Sequence, residues 1–261
     1  MNADARPLAL VTGASRGIGR AIALALAPTC DLVLVARDRA RVDEVAAEAR
    51  ARGADALTGA ADLTDRHQRD RLLADLADLT RERGRAIQIL VNNAGAATSA
   101  PLARTDDALW DRLLELDAAA PLALTRGLVP AMIAAGYGRV INVASTAALK
   151  GYAYTAAYSA AKGAMLGWTR ALAVELASKG VTVNAVCPGF TDTDIARDAI
   201  DNIRRSTQRS EGEARAALAR FSPQGRLLDP AEVAALVAYL TTPEAAAING
   251  QALAIDGGET A

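Results

Sequence analysis

Short apolar runs alternate with longer amphipathic segments from one end of the chain to the other. Seven runs read as strands: residues 8–12, 31–36, 54–60, 87–92, 138–144, 181–187 and 251–255. They are mostly rich in Val, Ile or Leu and apolar at successive positions, the pattern of strands buried on both faces. Between them, residues 39–52, 66–83, 106–135, 155–179 and 230–241 carry helical periodicity. This alternation predicts an α/β fold, a doubly wound (Rossmann) seven-stranded parallel sheet with helices on both faces. No repeat and no linker divides the chain, so residues 1–261 read as a single domain. One stretch, 190–225, fits poorly. It is polar, rich in Arg, Asp and Glu, and follows a strand end. Such an insertion is either a solvated loop carrying a helix or two or a lid over a site, and its position favours the lid.

The strand ends carry the chemistry. Thr12-Gly13-Ala14-Ser15-Arg16-Gly17-Ile18-Gly19 follows the first run. Glycines there allow a tight turn, close approach of a pyrophosphate to the backbone, and a free helix start beneath it. The spacing differs from Gly-x-Gly-x-x-Gly, and a merely structural turn fits it too. The second run ends Val35-Ala36-Arg37-Asp38. Where an NAD site places an acid for the ribose, this chain has Ala36, followed by Arg37, with Arg16 as a second cation. Two cations suit a 2′-phosphate, so NADP(H) is favoured over NAD(H). Asp38 leaves open a one-residue shift that brings a carboxylate to the ribose.

Tyr158 and Lys162 stand four apart in a helical segment, hence on one face, and Ser145 ends an apolar run thirteen residues upstream. Alone, Tyr-x-x-x-Lys is weak. In company it has a clear use. Hydride transfer to a ketone builds negative charge on oxygen, which needs a proton. A tyrosine with a pKa of about 10 yields its proton more readily beside a cation. Ser145 can donate to the oxyanion, and Tyr158 is then general acid in reduction and general base in oxidation.

Composition narrows the partners. The chain is 51% hydrophobic and 23% charged, with a formal net charge of −1, and nothing in that balance points to nucleic acid or an acidic membrane. Cys30 and Cys187 have neither metal nor disulfide spacing, so no metal and a reducing cytoplasm are expected. The N-terminal Met1-Asn2-Ala3-Asp4-Ala5-Arg6-Pro7 lacks the apolar core of a signal peptide, and no apolar run approaches the roughly 20 residues of a membrane helix. His67, the single histidine, sits in a polar run and reads as a solvated helix residue. Tyr152 and Tyr154 either line a pocket or pack.

With these residues assembled, nearly the whole chain resembles the short-chain dehydrogenase/reductases. In that family Thr-Gly-x-x-x-Gly-x-Gly holds the dinucleotide, matching Thr12, Gly13, Gly17 and Gly19, with Ser15, Arg16 and Ile18 in the same turn. The resemblance assigns Asp62 and its neighbour Leu63 to the adenine. It assigns Asn92, Asn93, Ala94 and Gly95 to the sheet and the adenosine ribose. Ser145, Tyr158 and Lys162 match the catalytic residues, the last two also touching cofactor. Pro188, Gly189 and either Thr191 or Thr193 match the nicotinamide side. One position departs. Where the family has an Asn seven residues after a Trp, kinking the helix and holding a water linked to the catalytic Lys, Trp110 leads to Asp117. The resemblance therefore implies that Asp117 holds that water, with a negative charge added near Lys162.

The stretch from Pro223-Gln224-Gly225-Arg226 to Gly250-Gln251-Ala252-Leu253 looks like bacterial 3-oxoacyl-thioester and polyketide ketoreductases. The implied activity is NADPH-dependent reduction of a ketone, foremost a 3-oxoacyl thioester, by a homotetramer. Carrier-protein reductases tend to have basic residues flanking the cleft. Lys179 stands at one such position and Gly136 replaces the other, so CoA, carrier protein and free ketone all stay open. The alternatives are a dehydrogenase of another small or cyclic secondary alcohol and a non-catalytic nucleotide-binding subunit or sensor.

Overall fold

The computed structural model describes residues 6–261, so most of the expectation about the N-terminal segment lies outside the described residues. Seven strands, β1 (Leu8–Thr12), β2 (Asp31–Ala36), β3 (Ala56–Ala60), β4 (Ile87–Asn92), β5 (Gly138–Val143), β6 (Val181–Pro188) and β7 (Ala252–Ile255), form one parallel sheet in the order β3-β2-β1-β4-β5-β6-β7. The order reverses between β1 and β4, so the crevice at their carboxyl ends is where such sheets bind ligands.

Alternate residues of β1 and β2 feed two cores. Ala9 and Val11 of β1, with Leu32 and Leu34 of β2, face α1 (Gly17–Leu26), α2 (Arg39–Ala51) and α9 (Pro230–Leu240). Leu8 and Leu10, with Val33 and Val35, face α3 (Arg66–Arg83), α5 (Ala120–Ala135) and α6 (Ala156–Leu176). Burial on both faces explains why the strands carry no polar alternation.

Three expectations change. The third strand begins at Ala56 rather than 54, and the helix expected over 106–135 is not uniform. It runs as α4 (Asp107–Leu114), a π-helical turn (Glu115–Ala119) and then α5. Pro121 explains the break: it has no N–H for the carbonyl of Asp117 four residues back, and its ring crowds that carbonyl. The widened turn relieves the crowding and carries Asp117 into the interior. Asp107–Ala135 is also long and apolar enough to cross a membrane, with a mean hydropathy of 1.4 over its best window. That corrects the reading that no such stretch exists. Here it is a core helix, with Leu113, Leu124 and Met132 wholly buried.

The segment after β6 contains α7 (Asp194–Thr207) and α8 (Glu211–Ala219). Ala196, Ile200, Ala214, Leu218 and Leu227 form a small core of their own, separate from the two sheet cores.

Candidate active site

The glycine turn is shaped by close approach. Gly13 has φ +64°, and a Cβ there would sit 2.8 Å from the backbone of Ala94; at Gly19 it would meet the Gly13 carbonyl at 2.2 Å. Thr12 is buried. Its hydroxyl accepts from the N–H groups of Asn93 and Ala94, both at 3.0 Å, while the Asn93 amide donates to the carbonyls of Thr12 (2.9 Å) and Gly13 (3.2 Å). Thr12 and the Asn93 side chain therefore brace the turn. Asn92 does the same for the sheet, donating to Asn142 at 2.9 Å and Thr125 at 3.2 Å.

Helices α2, α3, α4 and α9 each begin on an aspartate whose carboxylate caps the first turn. Helix α1 begins on Arg16, with no side-chain cap and no acid in its first turn. Its N–H groups and dipole end face the glycine turn unneutralised, a cradle that fits a dinucleotide pyrophosphate. Ser15, Gly17 and Ile18 are half-buried along it.

The two cations part company. Arg37 stands exposed at the end of β2 and enters no ion pair among the described residues. Arg16 is held by Asp194, 2.9 Å away in the first turn of α7, and Asp194 also pairs with Arg197 at 2.6 Å. Of the two cations, Arg37 alone is without an ion pair among the described residues. Asp38 is engaged as well, capping α2 through the Arg41 N–H and pairing with Arg41 at 3.3 Å. Asp62 accepts from the N–H and hydroxyl of Thr64 at 2.9 and 2.7 Å, and Leu63 is buried beside it.

Ser145 leaves the end of β5 in extended conformation, and its Oγ accepts from the Ala147 N–H at 3.1 Å. That leaves the hydroxyl proton free to donate. Tyr158 and Lys162 project from α6 towards it, with the Lys162 Nζ 5.8 Å from the Tyr158 ring centre. Burial raises the Tyr158 pKa. The Lys162 charge and the Ser145 hydroxyl oppose that shift, and the Asp117 charge adds to it.

Lys162 is buried. It donates to the Val143 carbonyl at 2.9 Å and lies 3.0 Å from Asp117 Oδ1. The second contact is a charge pair rather than an aligned hydrogen bond. Asp117 Oδ2 takes a long hydrogen bond, 3.4 Å, from the Ala96 N–H. The Asp117 carboxylate thus meets the Lys162 ammonium directly. Gly95 makes this possible, since a Cβ there would lie 2.4 Å from Asp117 Oδ1. Burial outweighs Lys162 and pushes the Asp117 carboxyl up. For Lys162, burial acts downward, but the charges of Asp117 and Tyr158 prevail and hold its ammonium above the usual range.

On the far side, Pro188 ends β6 and the Gly189 N–H donates to the Ile255 carbonyl at 3.0 Å. Of the two threonines left open, Thr191 is buried and bonds back to Gly189, whereas Thr193 precedes α7 without capping it, its hydroxyl donating to the Thr191 carbonyl at 3.2 Å and its methyl facing Gly17. Cys187 lies beneath Ser145, and burial pushes its thiol up to about 11, so it stays neutral and unreactive. Sequence reasoning missed Lys150 and Glu259, which join Tyr152 behind Ser145.

Residues 7–204 match the short chain dehydrogenase family. A 3-oxoacyl-[acyl-carrier-protein] reductase from Synechocystis sp. is 38% identical over 99% of this chain and 98% of its own. A cis-4-hydroxycyclohexanecarboxylate dehydrogenase from Sinomonas cyclohexanicum is 36% identical over the same shares. Among solved structures, a variant of the actinorhodin polyketide ketoreductase crystallised with NADPH superimposes with a TM-score of 0.91 at 35% identity, covering 97% of each chain. The chain therefore belongs to the short-chain dehydrogenase/reductase family and is an NAD(P)-dependent oxidoreductase.

Proposed function

We propose that this enzyme reduces a ketone to a secondary alcohol with NADPH, and that its substrate is a 3-oxoacyl thioester. The observation that carries the reading is the convergence of Ser145, Tyr158 and Lys162 at the carboxyl end of the sheet, beside the cradle of Gly13, Gly17 and Gly19. Relatives named for 3-oxoacyl and polyketide ketoreduction support the substrate class. When bound, the nicotinamide supplies the hydride. The chain's own residues do the rest. The free N–H groups of α1 hold the pyrophosphate, with Ala94, Gly95, Asp62 and Leu63 beside the adenosine. Pro188, Gly189 and Thr193 wall the nicotinamide side. Ser145 donates to the substrate oxygen, and Tyr158 passes its proton to that oxygen as charge builds. Lys162 keeps Tyr158 acidic enough to do so. Residues 190–225, which include α7 and α8 and have a core of their own, act as the lid over the site.

NADPH consumption with acetoacetyl-CoA, the matching carrier-protein thioester and free cyclic ketones tests the reading. Rates highest with a thioester support it, and turnover confined to free cyclic ketones overturns it. The Sinomonas relative favours that second reading, a dehydrogenase of a cyclic secondary alcohol. Lys179 is exposed beside Gly136, where a carrier protein would find a single cation.

The cofactor preference rests on Arg37, since Arg16 is engaged by Asp194. Arg37→Asp is expected to shift the kcat/KM ratio of NADPH to NADH roughly tenfold or more towards NADH, the worth of one charge-assisted contact. A wild type that already prefers NADH refutes the assignment.

The assembly we propose is a homotetramer in the cytoplasm, a setting in keeping with two free, buried cysteines. Val174 of α6 is 82% exposed, Trp110 of α4 40% and Leu122 of α5 38%. A second copy packing helix to helix would cover them. Light scattering at micromolar concentration is expected to give four times the chain mass, and a monomer mass argues against it.

A further inference from the structure

After β7 the chain turns sharply. Asp256 accepts from the N–H groups of Gly258 and Thr260, both at 2.9 Å, and from the Thr260 hydroxyl at 2.6 Å. Gly257 (φ +66°) and Gly258 (φ +93°) supply the left-handed backbone that this turn needs. The turn carries Glu259 back under the catalytic loop, where its side chain is only 1% exposed. Glu259 Oε1 accepts a short hydrogen bond from the Tyr152 hydroxyl and lies 3.4 Å from the Lys150 ammonium, which also donates to the Glu259 carbonyl at 3.3 Å.

The direction of this chain of contacts is fixed by chemistry. Tyr152 has one hydroxyl proton, and an ionised carboxylate only accepts. The Tyr152 proton therefore goes to Glu259. The Thr146 hydroxyl, 2.8 Å from the Tyr152 oxygen, must donate to it. Burial and Glu259 together hold the Tyr152 phenol far above its ordinary pKa, so it remains a donor. Thr146 is the residue after Ser145. The Tyr152 ring packs edge-on against Phe190, which follows Gly189, at 6.0 Å, and against Phe221, at the foot of the lid, at 5.6 Å. Glu259 Oε2, buried without a hydrogen-bond partner among the described residues, faces Gly189; a Cβ there would stand 3.0 Å from it.

We infer that Glu259 is a positioning residue for the reaction: through Tyr152 and Thr146 it fixes the loop that holds Ser145, and locks that loop to the Gly189 wall. The inference rests on the reading of Ser145 and Tyr158 as catalytic. A buried carboxylate that joins three loops and contributes no atom to the reacting centre acts by setting geometry, and misplacement of a donor by about 1 Å can cost up to about 100-fold in rate.

Glu259→Ala is expected to lower kcat for acetoacetyl-CoA reduction roughly tenfold or more, while the NADPH dissociation constant, read by nucleotide fluorescence, stays unchanged. Glu259→Gln keeps an acceptor oxygen and should retain most of the activity. Tyr152→Phe should match the Ala variant, and the double variant should be no worse than either single one, since both break the same contact. Amide hydrogen exchange over residues 145–152 gives a readout that needs no substrate, and it should accelerate in Glu259→Ala. Unchanged exchange there, or additive losses in the double variant, overturns the inference. Tyr158→Phe run in parallel separates the two readings. If that variant is active, the catalytic assignment fails. If it is inactive and Glu259→Ala turns over normally, only the role of Glu259 fails.

Discussion

Tyr158→Phe is expected to abolish turnover while NADPH still binds. The phenol is the proton donor that the site offers the substrate oxygen, and a positioned general acid contributes roughly 10²–10⁴-fold. The other candidates are unsuited. Ser145 is a hydrogen-bond donor with no base to relay its proton, and the Lys162 ammonium is turned towards Val143 and Asp117. The Cys187 thiol is buried, with its pKa raised to about 11. The Phe ring keeps the packing of α6, so the cofactor cradle built by Gly13, Gly17 and Gly19 should be unaffected. Stopped-assay kcat and fluorescence titration with NADPH measure the two quantities separately. Retention of a tenth of the wild-type kcat would overturn the assignment, as would loss of binding in parallel with activity.

The sheet was legible because its strands are apolar at successive positions, and only burial on both faces calls for that. The helix over 106–135 was legible as a helix but not as a broken one. Periodicity counts apolar residues and is blind to the missing N–H of Pro121, which opens the turn at Asp117. Ser145, Tyr158 and Lys162 could be placed together because a helical face and a strand end are local facts. The partners of Arg16 could not: Asp194 lies 178 residues away, and only the fold brings α7 onto the glycine turn. The same holds for Glu259 and Tyr152, separated by 107 residues and joined by a turn that has no periodic signature. Thr12 and Asn93 show a different limit. A motif marks residues that a site needs, without giving the bonds by which they brace its backbone.

Replacing Asp117 should separate charge from shape at the centre of the site. An anion favours the protonated form of both its neighbours, and the Asp117 charge raises Tyr158 and Lys162 alike. In reduction this suits the enzyme, because Tyr158 must hold a proton to give. In oxidation it is a handicap, because the phenolate is the base. Asp117→Asn keeps an acceptor oxygen near Lys162 and removes the charge, so the pKa values of Tyr158 and Lys162 should fall. Alcohol oxidation rises with pH as Tyr158 loses its proton; its profile should therefore move to lower pH, with the variant still active. Asp117→Leu is the severe case. It strands the Lys162 ammonium in the interior with the Val143 carbonyl as its remaining partner. Burial then drives Lys162 towards its neutral form, and Tyr158 loses the cation that sets its acidity. A fall in kcat of roughly 100-fold is expected for the Leu variant, of the order seen when a catalytic electrostatic partner is removed. Oxidation rate against pH for the three proteins, with thermal melts to confirm that each is folded, measures both effects. An Asn profile that stays in place, or a folded Leu variant with normal activity, would mean that the Asp117–Lys162 pair takes no part in proton transfer.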